Sequence, residues 1–155
     1  MSIHPRLVIG LGGALAGDDA VGLILAERLA ADPRLPADVA VVVGGADLLR
    51  LDSSVRGRSR VLLLDAIEAL PGETEPLVAD HPLAGVDRQS PHAHHLSAVQ
   101  ALELLLLTDP CLAATRFTWF LVPVCADSLS GAMSSRLDAL LPAFIDAILA
   151  CLATP

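Results

Sequence analysis

An apolar stretch from Arg6 to Gly10 runs directly into a glycine-rich turn, Gly10-Leu11-Gly12-Gly13. After Ala14-Leu15-Ala16-Gly17-Asp18-Asp19-Ala20, Val21, Ile24, Leu25 and Leu29 recur at helical spacing. A strand that turns this tightly into an amphipathic helix opens a βαβ unit, because the helix must fold back onto the sheet to bury its apolar stripe. Such turns commonly cradle phosphate, since backbone N–H groups and the positive helix end point at the ligand. Here the aspartates at 18 and 19 would repel it. The turn is instead suited to present carboxylates to a cation or to a proton-transfer reaction. Helix capping accounts for one of the pair, so Asp18 is assigned to the cap and Asp19 is kept as the functional candidate.

The rest of the chain repeats the alternation. Pro33 and Pro36 end the first helix, and Val39 to Val43 is a continuous apolar run closing on Gly44-Gly45, the pattern of a fully buried parallel strand. A short helix is expected over 46–51, and Val61 to Leu64 forms a third strand that delivers Asp65 at its carboxyl end. The stretch 71–90 is richer in Pro, Gly and acidic residues, with a brief extended segment at Glu75 to Val78 that reads as an edge hairpin or loop. His95 to Leu107 is helical and apolar on most faces. Its consecutive leucines 104–107 are expected to be buried, with a partner surface as the alternative. Arg116 to Val124 is another strand and holds the sole Trp119. A last helix spans Ser134 to Leu152, with Leu137, Leu141, Ile145, Ile148 and Leu152 on one stripe and Pro142 either kinking or starting it.

Strands alternating with helices predict an α/β fold: a three-layer sandwich with a doubly wound, mostly parallel sheet and helices on both faces, in a single domain over 1–155. In such sheets ligands bind outside the carboxyl ends of the strands, near the point where strand order reverses. Asp19 and Asp65 both fall there. If the first and third strands are neighbours, the two carboxylates converge, and His92, just before a helix, is placed to close the same crevice. A histidine with two carboxylates is a mixed ligand set suited to borderline divalent metals such as nickel or zinc. His94 and His95 lie in the same loop and take no assigned role.

Composition narrows the partners. A formal net charge of -8 disfavours nucleic acid and anionic membranes, and 3% aromatic residues with no Tyr leave few platforms for stacking bases. No uninterrupted apolar run approaches the roughly 20 residues that span a bilayer. Cys111, Cys125 and Cys151 are odd in number and form no Cys-x-x-Cys pair, so they are expected to be reduced packing residues of a cytoplasmic protein, apart from the acidic crevice. Arg6, the following apolar run and Ala14-Leu15-Ala16 imitate a secretory signal. That reading is rejected, because Gly10, Gly12 and Gly13 weaken the would-be signal helix and cleavage would delete the first strand. No Ser-His-Asp or Cys-His arrangement is evident.

The turn G-x-G-x-x-x-x-D-D-x-x-G over 10–22, the aliphatic strand ending in Asp65-Ala66, and Ser90-Pro91-His92 with Leu96 four residues after the histidine resemble the maturation endopeptidases of nickel-iron hydrogenases. Val122 to Leu141, with Asp127-Ser128-Leu129 and Gly131, is similar to that family's closing strand, loop and helix. The resemblance implies a sheet of about five strands and a metal site formed by Asp19, Asp65 and His92. It further implies a protease that recognises nickel already seated in the hydrogenase large-subunit precursor and removes a C-terminal peptide, with Asp19 and Asp65 at the reaction. Nickel would arrive with the substrate, and no organic cofactor is implied. Gly13 stands where the family usually has Asn, Ala20 where it has Gly, and Val43 where Asp commonly precedes the Gly-Gly pair. Two other readings remain open: a non-catalytic metal-binding or chaperone module on the same fold, and a dinucleotide-binding domain. Against the latter, Leu15 takes the third glycine position and the aspartates crowd the phosphate site.

Overall fold

The computed structural model describes residues 4–13, 16–83, 97–128 and 131–154. Its elements run β1 (Arg6–Leu11), α1 (Val21–Ala30), β2 (Val39–Gly45), α2 (Asp52–Val55), β3 (Arg60–Glu68), β4 (Leu77–Asp80), α3 (Ala98–Thr108), β5 (Arg116–Val124) and α4 (Ser135–Ala153). The strands form one five-stranded sheet in the order β2-β1-β3-β5-β4. The pairs β1–β2, β1–β3 and β3–β5 are parallel, and β4 runs antiparallel on β5. Strand order reverses at β1, so the crevice lies between β1 and β3, which the expectation for Asp19 and Asp65 required.

Alternation along each strand divides the apolar residues between two faces. On one face Val8, Leu62, Leu64, Phe120 and Val122 pack with Leu25 and Leu29 of α1 and Leu137, Leu141, Ile145, Ile148 and Leu152 of α4. On the other, Leu7, Ile9, Val61, Leu63, Phe117, Trp119 and Leu121 pack with Ala101, Leu102 and Leu105 of α3. The helical stripes read from the sequence are thus the surfaces that cover the sheet, and the result is a three-layer sandwich.

Gly10 and Gly22 set how closely α1 approaches. A Cβ at Gly22 would meet the carbonyl oxygens of Leu11 at 2.3 Å and Leu64 at 2.4 Å, and one at Gly10 would meet the Gly22 carbonyl oxygen at 2.3 Å. Only residues without side chains let the first turn of α1 rest on the ends of β1 and β3.

Several expectations are corrected. β2 is an edge strand rather than a fully buried one: it pairs with β1 alone, and Val43 is 47% exposed. Its run of valines reflects contact of alternate residues with both apolar layers, not enclosure by strands on either side. The extended segment near Val78 is no hairpin with its sequence neighbour. As β4 it joins β5, with Leu77 opposite Leu121, and closes the other edge. The expected helix at 46–51 is a 3-10 turn, Leu48–Leu51, followed by the short α2. β3 does not stop at Asp65 but continues to Glu68, because β5 still pairs with it after β1 has ended.

In α3, Leu104 and Leu107 are 43% and 83% exposed, which corrects the expectation that the leucines are buried together; only Leu105 turns fully onto the sheet. Pro142 lies inside α4, whose start is capped by Ser134. Cys111 and Cys125 are exposed and Cys151 is partly buried, so none is a core residue. Among the described residues no helix is long and apolar enough to cross a membrane.

Candidate functional site

After β1 the chain turns through Gly12, whose φ of 138° is open to glycine and strained for other residues. A Cβ there would lie 2.2 Å from the Asp19 carbonyl oxygen, so this turn is folded tightly against the next one. Residues Gly17–Ala20 form a single 3-10 turn that leads straight into α1. Both aspartates sit in that turn, and both are buried, Asp18 at 4% and Asp19 at 6% exposure.

Their side chains diverge. Oδ2 of Asp19 accepts the Gly13 N–H at 3.1 Å, so the carboxylate folds back over the glycine turn. That amide is one a phosphate would need, and its use by Asp19 disfavours the dinucleotide reading. Asp18 does not cap its own helix, which corrects the capping assignment: neither the 3-10 turn nor α1 has a side-chain cap at its start. Its carboxylate instead crosses to the residue that caps α4, accepting the Ser134 N–H at 2.7 Å and the Ser134 hydroxyl at 2.8 Å.

Asp65 approaches from β3. Gly10 of β1 pairs with Leu64, and β1's pairing with β3 ends there, so Asp65 is the first β3 residue flanked only by β5. Leu64 and Ala66 beside it point into the α1–α4 layer, and Leu63 and Ile67 into the α3 layer, so the carboxylate emerges where apolar strand meets crevice. One oxygen, Oδ1, accepts the Ala66 N–H at 2.8 Å. Loss of water raises its pKa from 3.8 to about 7, a rise that the Ala66 hydrogen bond opposes and the nearby Asp19 charge reinforces. Asp65 thus lies within electrostatic reach of Asp19. A largely buried acid with proton affinity near neutrality, close to a second acid, is a combination found where protons or cations are handled.

The structure therefore brings Asp19 and Asp65 together. His92, His94 and His95 lie outside the described residues, and among the described residues no group of three metal-ligating side chains assembles. The donors present are carboxylate oxygens, which fit a divalent cation but leave the imidazole of the expected set to His92. Sequence reasoning missed Ser134 as the partner of Asp18. Its N-cap position before α4 was the available signal, but nothing in the sequence joins residues separated by 116 positions. Cys125 lines a small cleft with Asp18, Ser134 and Arg136, on the side to which Asp18 turns and apart from Asp19 and Asp65.

With the sheet order and the paired acids established, the likeness to solved structures is informative. The [NiFe] hydrogenase maturation protease HybD from Thermococcus kodakarensis superposes with a TM-score of 0.74 at 23% identity, over 96% of this chain and 99% of that one. The fold is that of hydrogenase maturation proteases. The hydrogenase maturating endopeptidase HybD from E. coli gives a TM-score of 0.71 at 22% identity, over 95% of this chain and 91% of that one. A hydrogenase 2 maturation peptidase from a Thaumarchaeota archaeon gives 0.66 at 22% identity, over 97% and 99%. No family model matches the chain, and no curated protein matches it.

Proposed function

We propose that this chain is an endopeptidase of hydrogenase maturation, one that recognises nickel in the large-subunit precursor and removes a C-terminal peptide. The reading is supported by Asp65 lying within electrostatic reach of Asp19 near the reversal of strand order, on a fold shared over nearly the whole chain with proteins named as hydrogenase maturation proteases. Asp19, Asp65 and His92 would complete the coordination of the precursor's nickel. Nickel is then part of the substrate, and its contribution is to hold the precursor in one register and to draw electron density from groups bound to it.

The chain's own residues have separate tasks. Asp19, held by the Gly13 N–H, offers an oriented oxygen donor at the floor of the turn. Asp65, with one oxygen engaged by Ala66, keeps the other for cation or proton. Hydrolysis of an amide adds water across the C–N bond, so a base must take a proton from water and an acid must return one to the departing nitrogen. Asp65 is the group assigned to both steps: its pKa of about 7 belongs to the metal-free chain, and with a cation bound its ionised carboxylate would take the proton from water and return it to the departing nitrogen.

The experiment is processing of a purified nickel-loaded precursor by the parent chain and by Asp19→Ala, Asp65→Ala and His92→Ala. The parent should shorten the precursor, and each substitution should slow that by at least about a hundredfold, the scale of losing a group engaged in the transition state. Normal processing by either aspartate variant defeats the assignment. Nickel binding by the parent without any cleavage would favour a non-catalytic metal-binding module.

A further inference from the structure

The other acid of the 3-10 turn, Asp18, is left without chemistry by this reading, yet it is buried and both its oxygens accept hydrogen bonds. We propose that Asp18 is the positioning residue of the site: by holding the N-cap of α4 with both carboxylate oxygens, it fixes the 3-10 turn that carries Asp19. This inference rests on the reading of Asp19 and Asp65 as the functional pair.

Capping alone does not account for the contact. Ser134 already caps α4 unaided, its hydroxyl oxygen accepting the Leu137 N–H at 3.3 Å. The bonds at 2.7 and 2.8 Å from Ser134 to Asp18 come in addition, and they face the acidic turn rather than the helix. α4 is a firm support to hold against. At its far end Arg6 on β1 donates to the Leu152 carbonyl, and Arg60 on β3 donates to the Thr154 carbonyl at 2.6 Å, which ties the helix to the sheet. A second strap runs alongside, since Ala16 forms a parallel bridge with Gly131. The turn itself has no slack, with the Asp19 carbonyl packed against Gly12. A turn anchored at Asp18 therefore transmits its position to the next residue, and the Asp19–Gly13 hydrogen bond reports whether it does.

The variants differ in a way that separates positioning from simple stability. Asp18→Ala deletes both bonds. Asp18→Asn retains them, because the amide oxygen accepts the Ser134 N–H while the amide nitrogen donates to the Ser134 hydroxyl, whose oxygen has two lone pairs. Ser97→Ala is the control: it removes the N-cap of α3, a helix on the sheet face opposite α4, where Ser97 and Gln100 form a reciprocal capping pair. Three readouts apply to the full chain: exchange of the Gly13 amide by NMR, Ni2+ binding by calorimetry, and precursor cleavage.

Asp18→Ala should speed Gly13 exchange and weaken Ni2+ binding and cleavage by about tenfold each, the equivalent of one net hydrogen bond. Asp18→Asn should stay within about threefold of the parent, and Ser97→Ala should lower Tm while leaving Gly13 exchange in place. Should Asp18→Ala not fold, Ser134→Ala, which removes only the hydroxyl, should give the same changes at about threefold. Unaltered Gly13 exchange in the folded variant, or an equal change in Ser97→Ala, overturns the inference. If the parent neither binds Ni2+ nor cleaves, the functional reading fails on its own, and Gly13 exchange still decides the positioning role.

Discussion

At the scale of single residues, two adjacent aspartates of the same chemical type hold different posts because their oxygens meet different donors. Asp19 meets the Gly13 amide beside the crevice, while Asp18 meets Ser134 on another element. Asp65 differs again, since its burial opposes the charged form. Its folded-state pKa of about 7 stands above the unfolded value of 3.8, so between those values the native state binds more protons than the unfolded one. Stability therefore falls as pH rises from about 4 to about 7 and is level above that. Asp65→Asn, which cannot ionise, should leave the metal-free protein more stable at pH 8 by up to about 4 kcal/mol, an upper figure from roughly three pKa units at ~1.36 kcal/mol each. The gain should vanish near pH 4. Urea unfolding at the two pH values measures this, and an Asp65→Asn variant no more stable at pH 8 than at pH 4, relative to the parent, would contradict it. The same proton competes with a cation, so Ni2+ affinity should strengthen from pH 6 to pH 8 in the parent, and calorimetry across that range reads the slope.

At the scale of elements, close approach of α1 to the sheet puts the acidic turn where it is. Gly22→Ala would drive a methyl group into the Leu11 and Leu64 carbonyl oxygens, so α1 would have to lift from the β1 and β3 ends. The expected cost is about 1–3 kcal/mol, the usual range for overpacking, together with loss of cleavage because Asp19 moves with the helix. Thermal unfolding and the precursor assay measure both, and full activity in Gly22→Ala would show that the turn tolerates displacement. The two edge strands are protected differently. β4 is short, with Asp80 paired to Arg116 at 2.8 Å, whereas β2 presents an uncharged Val39–Gly45 edge. Replacing exposed Val43 with Lys should change stability by no more than about 0.5 kcal/mol while lowering any tendency of edges to pair. Light scattering at high concentration compares the two proteins.

At the scale of the whole molecule, the sheet is the shared wall of two apolar layers, one under α1 and α4 and one under α3. Leu141 and Leu102 are buried in opposite layers, so Leu141→Ala and Leu102→Ala should each cost about 2–5 kcal/mol and add in the double variant, since the residues share no partners. A single unfolding transition should persist in each, because neither layer can keep its face of the sheet covered once the other is lost. Chemical denaturation tests additivity; two separate transitions would show that the layers fold independently. Much of this architecture was legible in the sequence. The apolar runs, the helical stripe of α4 and the strand–turn–helix around Gly10 to Gly22 are local patterns, imposed by the periods of strand and helix, and each appears in the structure where the pattern lies. Asp19 and Asp65 were legible as candidates for the same reason, since one lies in the turn after an apolar run and the other directly ends such a run. Tertiary packing alone decided the rest. Whether a valine-rich strand lies at the centre or the edge, whether β3 stops at Asp65 or runs on to Glu68, and whether Asp18 caps its own helix or holds the residue that caps one far along the chain depend on which elements become neighbours. Those choices minimise the exposed apolar area and unpaired polar groups of the whole chain at once, and no short stretch of residues contains that sum.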